Sequence, residues 1–231
     1  MKKFLCIIFA FAFFGESAFA QLAGENLRLG FYVSPGISSF RTQNNDINTA
    51  GGPSFGFGII ADFEISDNYS IGSGINLNYL KGDVSIVDEI DGLNREGNYR
   101  YGYIEIPVTA KLSTNEVATS FGDLRFFGQL GGFLGLPLLR TRYDFFVDGV
   151  LQEEKDNAKA NKLVNPINIG LASAIGGEYA MTENTYVYVA LWYNVGFISV
   201  LRNKAFDEFN YGDKDNKVNS SLIGLRLGAM F

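Results

Sequence analysis

The chain has 231 residues, 19 basic and 25 acidic side chains, 27 glycines and no histidine. The missing histidine excludes Ser-His-Asp catalysis, histidine general bases and histidine zinc sites. A modest net charge of −6 without a basic cluster gives no electrostatic footprint for nucleic acid.

Lys2 and Lys3 precede an apolar run over residues 4–14, and Ala18-Phe19-Ala20 follows with the small-x-small pattern of a signal-peptidase site. Residues 1–20 are therefore expected to be a cleaved signal peptide, and residues 21–231 the exported barrel domain. The run is too short for a spanning helix, which needs ~20 apolar residues. Cys6 lies inside the leader, so the exported part holds no disulfide and no thiolate metal site.

Beyond the leader, apolar residues recur at every second position, the period of a strand with two unlike faces. The first run sets Leu27, Leu29, Phe31 and Val33 against Arg28, Gly30, Tyr32 and Ser34. The second sets Phe55, Phe57, Ile59, Ala61, Phe63 and Ile65 against Ser54, Gly56, Gly58, Asp62 and Glu64. After the turn residues Ser66-Asp67-Asn68, the third sets Tyr69, Ile71, Ile75, Leu77 and Tyr79 against Ser70, Gly72, Gly74, Asn76 and Asn78. The fourth carries Ile104, Ile106, Val108, Ala110 and Leu112 opposite Tyr103, Glu105, Pro107, Thr109 and Lys111. The fifth, over residues 124–136, is less regular. The sixth, seventh and eighth follow the pattern over residues 167–179, 186–197 and 223–231.

Eight strands result. The connections alternate, long at about residues 41–52, 81–98, 137–164 and 198–218 and short at 66–68, 113–123 and 180–185. That asymmetry belongs to outer-membrane barrels, with short periplasmic turns and long outer loops. A soluble ligand-binding barrel would turn its apolar face inward and its other face to water, yet the other face is dominated by glycine and serine rather than solubilising charge. Glycine suits a narrow lumen that must fit large partners from facing strands. Tyr69, Tyr79, Tyr179, Tyr193, Phe197 and Phe231 lie near strand ends on the apolar face, where membrane barrels carry aromatic girdles. The expected fold is all-β: an eight-stranded antiparallel up-and-down transmembrane β-barrel in the bacterial outer membrane.

Several stretches carry a resemblance: Tyr103-Ile104-Glu105-Ile106-Pro107-Val108 with Lys111-Leu112, the glycine-centred run 128–136, residues 167–179 and the closing 225–231. The exported chain resembles the small outer-membrane β-barrel family labelled "porin family" or PorT-like. The resemblance implies a part in envelope biogenesis or type IX secretion. The family commonly shows Arg-Tyr where this chain has Trp192-Tyr193.

On the polar faces stand four acids, Asp62, Glu64, Glu105 and Glu178, and four bases, Arg28, Lys111, Arg125 and Arg226. Unpaired buried charge costs several kcal/mol, so these eight are expected to form a luminal charge network of structural role. Tyr32, Asn76, Asn78, Tyr103 and Asn194 would fill the upper lumen, and Pro107 should mark a bulge or bend. Gly56-Phe57-Gly58-Ile59-Ile60-Ala61 matches a dinucleotide fingerprint by letters only, since strand alternation runs through it. Asp88-Glu89-Ile90-Asp91 and Asp213-Lys214-Asp215-Asn216 lack calcium-loop spacing and read as solvated charge. No catalytic, cofactor or metal residue is assigned. The expected role is structural or interactive, with outer-membrane lipid around the barrel and a protein partner at the outer loops. A narrow porin-like channel and a membrane-embedded enzyme are the other readings.

Overall fold

A computed structural model describes residues 26–88, 91–119, 122–138, 141–156, 160–182, 185–207, 209 and 216–231. The expected leader, Glu89 and Ile90, and residues 213–215 lie outside them. Alternating sequence becomes long antiparallel strands: β1 (Leu27–Thr42), β2 (Ile47–Ser66), β3 (Tyr69–Val87), β4 (Asn94–Ser113), β5 (Val117–Thr119), β6 (Gly122–Pro137), β7 (Arg142–Val147), β8 (Val150–Asp156), β9 (Asn168–Thr182), β10 (Thr185–Gly196) and β11 (Val218–Met230). Eight of them form the wall. Neighbouring pairs run β1–β2–β3–β4–β6–β9–β10–β11, and β11 returns to β1, so the ring is closed. Closure leaves no strand edge in the hydrocarbon, where unpaired backbone groups have no partners.

In the lower and middle wall the apolar face looks outward. On β11, Arg226 is 8% exposed, while Leu225 and Leu227 are 48% and 43% exposed. Phe55, Phe57, Ile59, Phe63, Ile71, Ile75, Val108 and Leu130 also lie on the outside. A lipid-facing belt requires this arrangement, and in water it would be a large exposed apolar patch. No helix among the described residues is long and apolar enough to span, so the crossing is made by strands.

Two expected long loops prove to be mostly strand. Between β1 and β2 only residues 43–46 lie outside strand, and β3 continues to Val87 while β4 already begins at Asn94. The reason is a reversal of the faces. Above Tyr79, β3 turns Leu80, Val84 and Ile86 inward and Lys81, Asp83 and Ser85 outward. β4 likewise turns Tyr101 and Tyr99 inward and Arg100 outward. The period stays at two while the chemistry of each face changes, which marks where the wall leaves lipid. The third outer connection holds the β7–β8 hairpin, and β7 takes over from β6 beside β4 at Arg95–Arg100. A 3₁₀ turn (Ala160–Lys162), the short helix α1 (Asn203–Asp207) and a Val164–Leu201 bridge complete the top.

Pro107 produces no bulge. Pro107 and the preceding Ile106 lack ladder partners on β3, yet Ser73↔Val108 and Asn76↔Glu105 keep one register. The Ser73 hydroxyl donates to the Pro107 carbonyl at 3.0 Å. The missing proline N–H is absorbed by a gap in the ladder rather than by an extra residue.

Candidate functional site: the filled lumen and the outer sheet

Three layers fill the barrel. Nearest the short turns, β1, β2, β4 and β9 bring Arg28, Asp62, Glu64, Lys111 and Glu178 together. Lys111 Nζ donates to Asp62 Oδ2 at 2.7 Å and to Glu178 Oε1. Arg28 lies 3.3 Å from Glu178, 3.9 Å from Asp62 and 2.8 Å from Glu64. The Asp62, Lys111 and Glu178 side chains are almost wholly buried. Close approach of opposite charges, with hydrogen bonds to Lys111 and Arg28, offsets the desolvation of these buried groups. The Lys111 ammonium also sits 4.6 Å above the Phe127 ring.

Three of the eight charged residues stand apart. Arg125 is the cross-strand neighbour of Glu178, but its guanidinium pairs with Glu116 at 3.7 Å on the rim. Glu105 is fully buried at mid-barrel and accepts from Asn194 Nδ2 at 2.8 Å, Asn76 Nδ2 at 3.0 Å, Asn78 Nδ2 at 3.3 Å and the Tyr103 hydroxyl at 3.4 Å. Arg226 makes no ion pair among the described residues. Its guanidinium lies between the Tyr32 and Trp192 rings, 4.6 and 4.7 Å from their centroids. Neutral amides solvate one charge and aromatic faces the other, so the two are held without direct pairing.

The middle layer leaves little space. A void bordered by Lys111, Gln129, Tyr188 and Arg226 has a volume of about 10 Å³, roughly one water's worth. Gly228 makes the layer possible, because a Cβ there would strike the Phe31 carbonyl oxygen and come within 2.5 Å of the Tyr188 ring.

The third layer lies above the belt and is apolar. Phe40, Leu80, Val84, Ile86, Tyr99 and Tyr101 from the wall pack with Tyr143 of β7 and with Leu163, Val200, Leu201, Phe206 and Phe209 of the cap. Tyr99 and Tyr143 rings lie 4.7 Å apart, and Phe209 meets Phe145 edge-on at 5.6 Å. At the β3–β4 tip, Asp88 is buried and reaches Arg95 at 2.7 Å, so it is a paired group and not the solvated charge its loop composition suggested. Arg95 also meets Asp91 at 2.6 Å, and these hydrogen bonds hold the exposed Asp91 carboxyl below its ordinary value. Gly92, with φ of +71°, closes that tip in a conformation other residues rarely adopt.

Sequence reasoning named Asn76, Asn78, Tyr103 and Asn194 as filling without linking them to Glu105, and it missed Glu116, the Asp88–Arg95 pair and the outer core. The signal for the outer core was present as inward Leu80, Val84 and Ile86, in phase with the lower strand but opposite in chemistry.

A closed barrel of eight antiparallel strands with an outward apolar belt and a polar, filled lumen is an integral protein of the bacterial outer membrane. The chain belongs to the family described as the outer membrane protein beta-barrel domain, whose model matches residues 19–202. Similar solved structures include neisserial surface protein A, at 14% identity and a TM-score of 0.42, covering 87% of this chain and 95% of that one. Another is the attachment invasion locus protein Ail of Yersinia pestis, at 14% identity and 0.36, covering 88% and 99%. OprG of Pseudomonas aeruginosa follows at 13% identity and 0.35, covering 89% and 94%. Comparison with curated proteins gives no match.

Proposed function

We propose that this protein is a non-conducting anchor that holds a rigid β-sheet above the outer membrane as a surface for a protein partner. The carrying observation is that the wall continues past the lipid belt as ordered strands built on their own buried apolar core. A solute channel needs a wet lumen, whereas this one is filled in turn by ion pairs, by amides and aromatic rings, and by apolar side chains. Outer strands with a packed core also lose little freedom on binding, which favours a contact surface. The eight luminal charges are read as structural and no catalytic role is assigned. In this proposal residues 1–20 are removed on export, as N-terminal sequencing of the membrane-bound protein would report.

The test is photo-crosslinking in native membranes, with the reactive group placed at the outward positions Asp83 and Arg100 and, separately, at the lipid-facing Ile59 and Ile75. A discrete protein adduct from the first pair alone is expected. Adducts from neither pair, or from the lipid-facing pair alone, would overturn the reading.

A further inference from the structure

The closed wall has no edge, but the sheet as a whole does. Above Tyr103↔Pro137, where β4 parts from β6, the next neighbour of β4 is β7, and β7 is followed by β8. The strand order ends there: among the described residues no strand pairs with the far side of β8. β8 is exposed along almost its whole length. Every second backbone N–H and C=O along that side is therefore offered to a further strand.

Such an edge stays open only if something keeps copies of the chain from pairing through it. β8 carries Glu153, Glu154 and Asp156 against the single base Lys155; Lys155 pairs with Glu153 at 3.0 Å and Arg142 of β7 pairs with Glu154, and the edge keeps an excess of acid. Two β8 strands brought together would set these carboxylates against one another, and like charges placed directly opposite destabilise a pair of strands. An approaching strand with bases at those positions meets the opposite situation. The two exposed apolar residues at the start of the strand, Val150 and Leu151, would give its other end a surface to cover. The bulge that leaves Gln152 without a partner on β7 bends β8 between these two stretches.

The geometry points to β8 as the docking edge for an extended, basic segment of a partner protein, which adds to the outer sheet as one more antiparallel or parallel strand. This rests on the proposal of a partner-binding outer sheet and says where on it, and through which chemistry, the partner binds.

The experiment uses the full-length exported chain in non-ionic detergent micelles and three capped, fluorescent peptides. One alternates lysine with valine, one alternates glutamate with valine, and one repeats the lysine peptide with N-methyl groups on alternate residues along one edge. The lysine peptide is expected to bind, and the glutamate peptide and the N-methylated peptide to bind at least about tenfold more weakly. In Glu153→Lys/Glu154→Lys chains that keep the heat-dependent gel shift of a closed barrel, the preference between lysine and glutamate peptides should reverse. Equal binding of the N-methylated peptide would show simple charge attraction and overturn strand addition. Indifference to the double substitution, or concentration-dependent dimers that block the peptide, would overturn the choice of edge or of occupant. If the crosslinks from Asp83 and Arg100 persist in any of those cases, the partner-binding sheet stands and only the assignment to β8 fails.

Discussion

Lys111 bridges Asp62 and Glu178 inside the inner charge layer, and Arg28 approaches the same two carboxylates from β1. Replacing Lys111 by methionine keeps most of the volume over Phe127 but leaves buried carboxylates short of a cation. A loss of about 3–5 kcal/mol is expected, read as a lower urea midpoint for barrel unfolding. Adding Glu178→Gln should restore much of it, since the remaining charges then balance better. A second residue-scale effect lies at the β3–β4 tip. The Asp91 carboxyl is held below its ordinary value by Arg95, so its stabilising contribution is present above the ordinary carboxylate range and is lost as pH falls through the lowered value. The Leu93 amide, which donates to Asp91 Oδ1 at 2.9 Å, should hold its NMR shift from neutral pH down to that range and move only below it.

Single strands carry two codes in one period, and each predicts a separate result. On β3, Tyr79 is the last outward aromatic and Lys81 the first outward base. Cysteine at position 79 should react with a lipid-phase reagent and cysteine at 81 with a water-soluble one. Reactivity of both in one phase would move the membrane boundary. Glycines divide in the same way. A Cβ at Gly56 would strike the Asn78 side chain and lie 2.7 Å from the Ser34 hydroxyl, whereas Gly128 faces outward with open space. Gly56→Ala should cost about 1–3 kcal/mol in unfolding titrations, and Gly128→Ala should be neutral or stabilise by up to about 1 kcal/mol. Strand number, order and facing were legible in the sequence because lipid demands apolar residues on one side of every spanning stretch. The upper halves of β1 to β4 were not, because beyond Tyr79 the apolar side chains turn to the lumen and the outward ones become polar, as loop residues are. The charges were legible as inward residues, while their partners were not. Arg125 and Glu178 are neighbours in the ladder, yet the long guanidinium swings to Glu116, and only coordinates fix such a choice.

For the molecule as a whole, the anchor proposal expects the stack of ionic, amide-aromatic and apolar layers to carry no continuous water path, as eight strands enclose only enough room for their own side chains. Purified protein in planar bilayers should show no steady single-channel steps. Reproducible steps with an ion selectivity altered by Glu178→Gln would replace the anchor reading with a pore. The reversal of faces also bears on how the chain reaches this state. Before the ring closes, one strand such as β3 shows water both Ile71, Ile75 and Leu77 on one side and Leu80, Val84 and Ile86 on the other, a ribbon sticky along both surfaces at different heights. A bilayer can shelter only the first set. The second is sheltered only when the neighbouring strands and the cap arrive, so an unfinished barrel that has already entered the membrane would still display an adhesive crown.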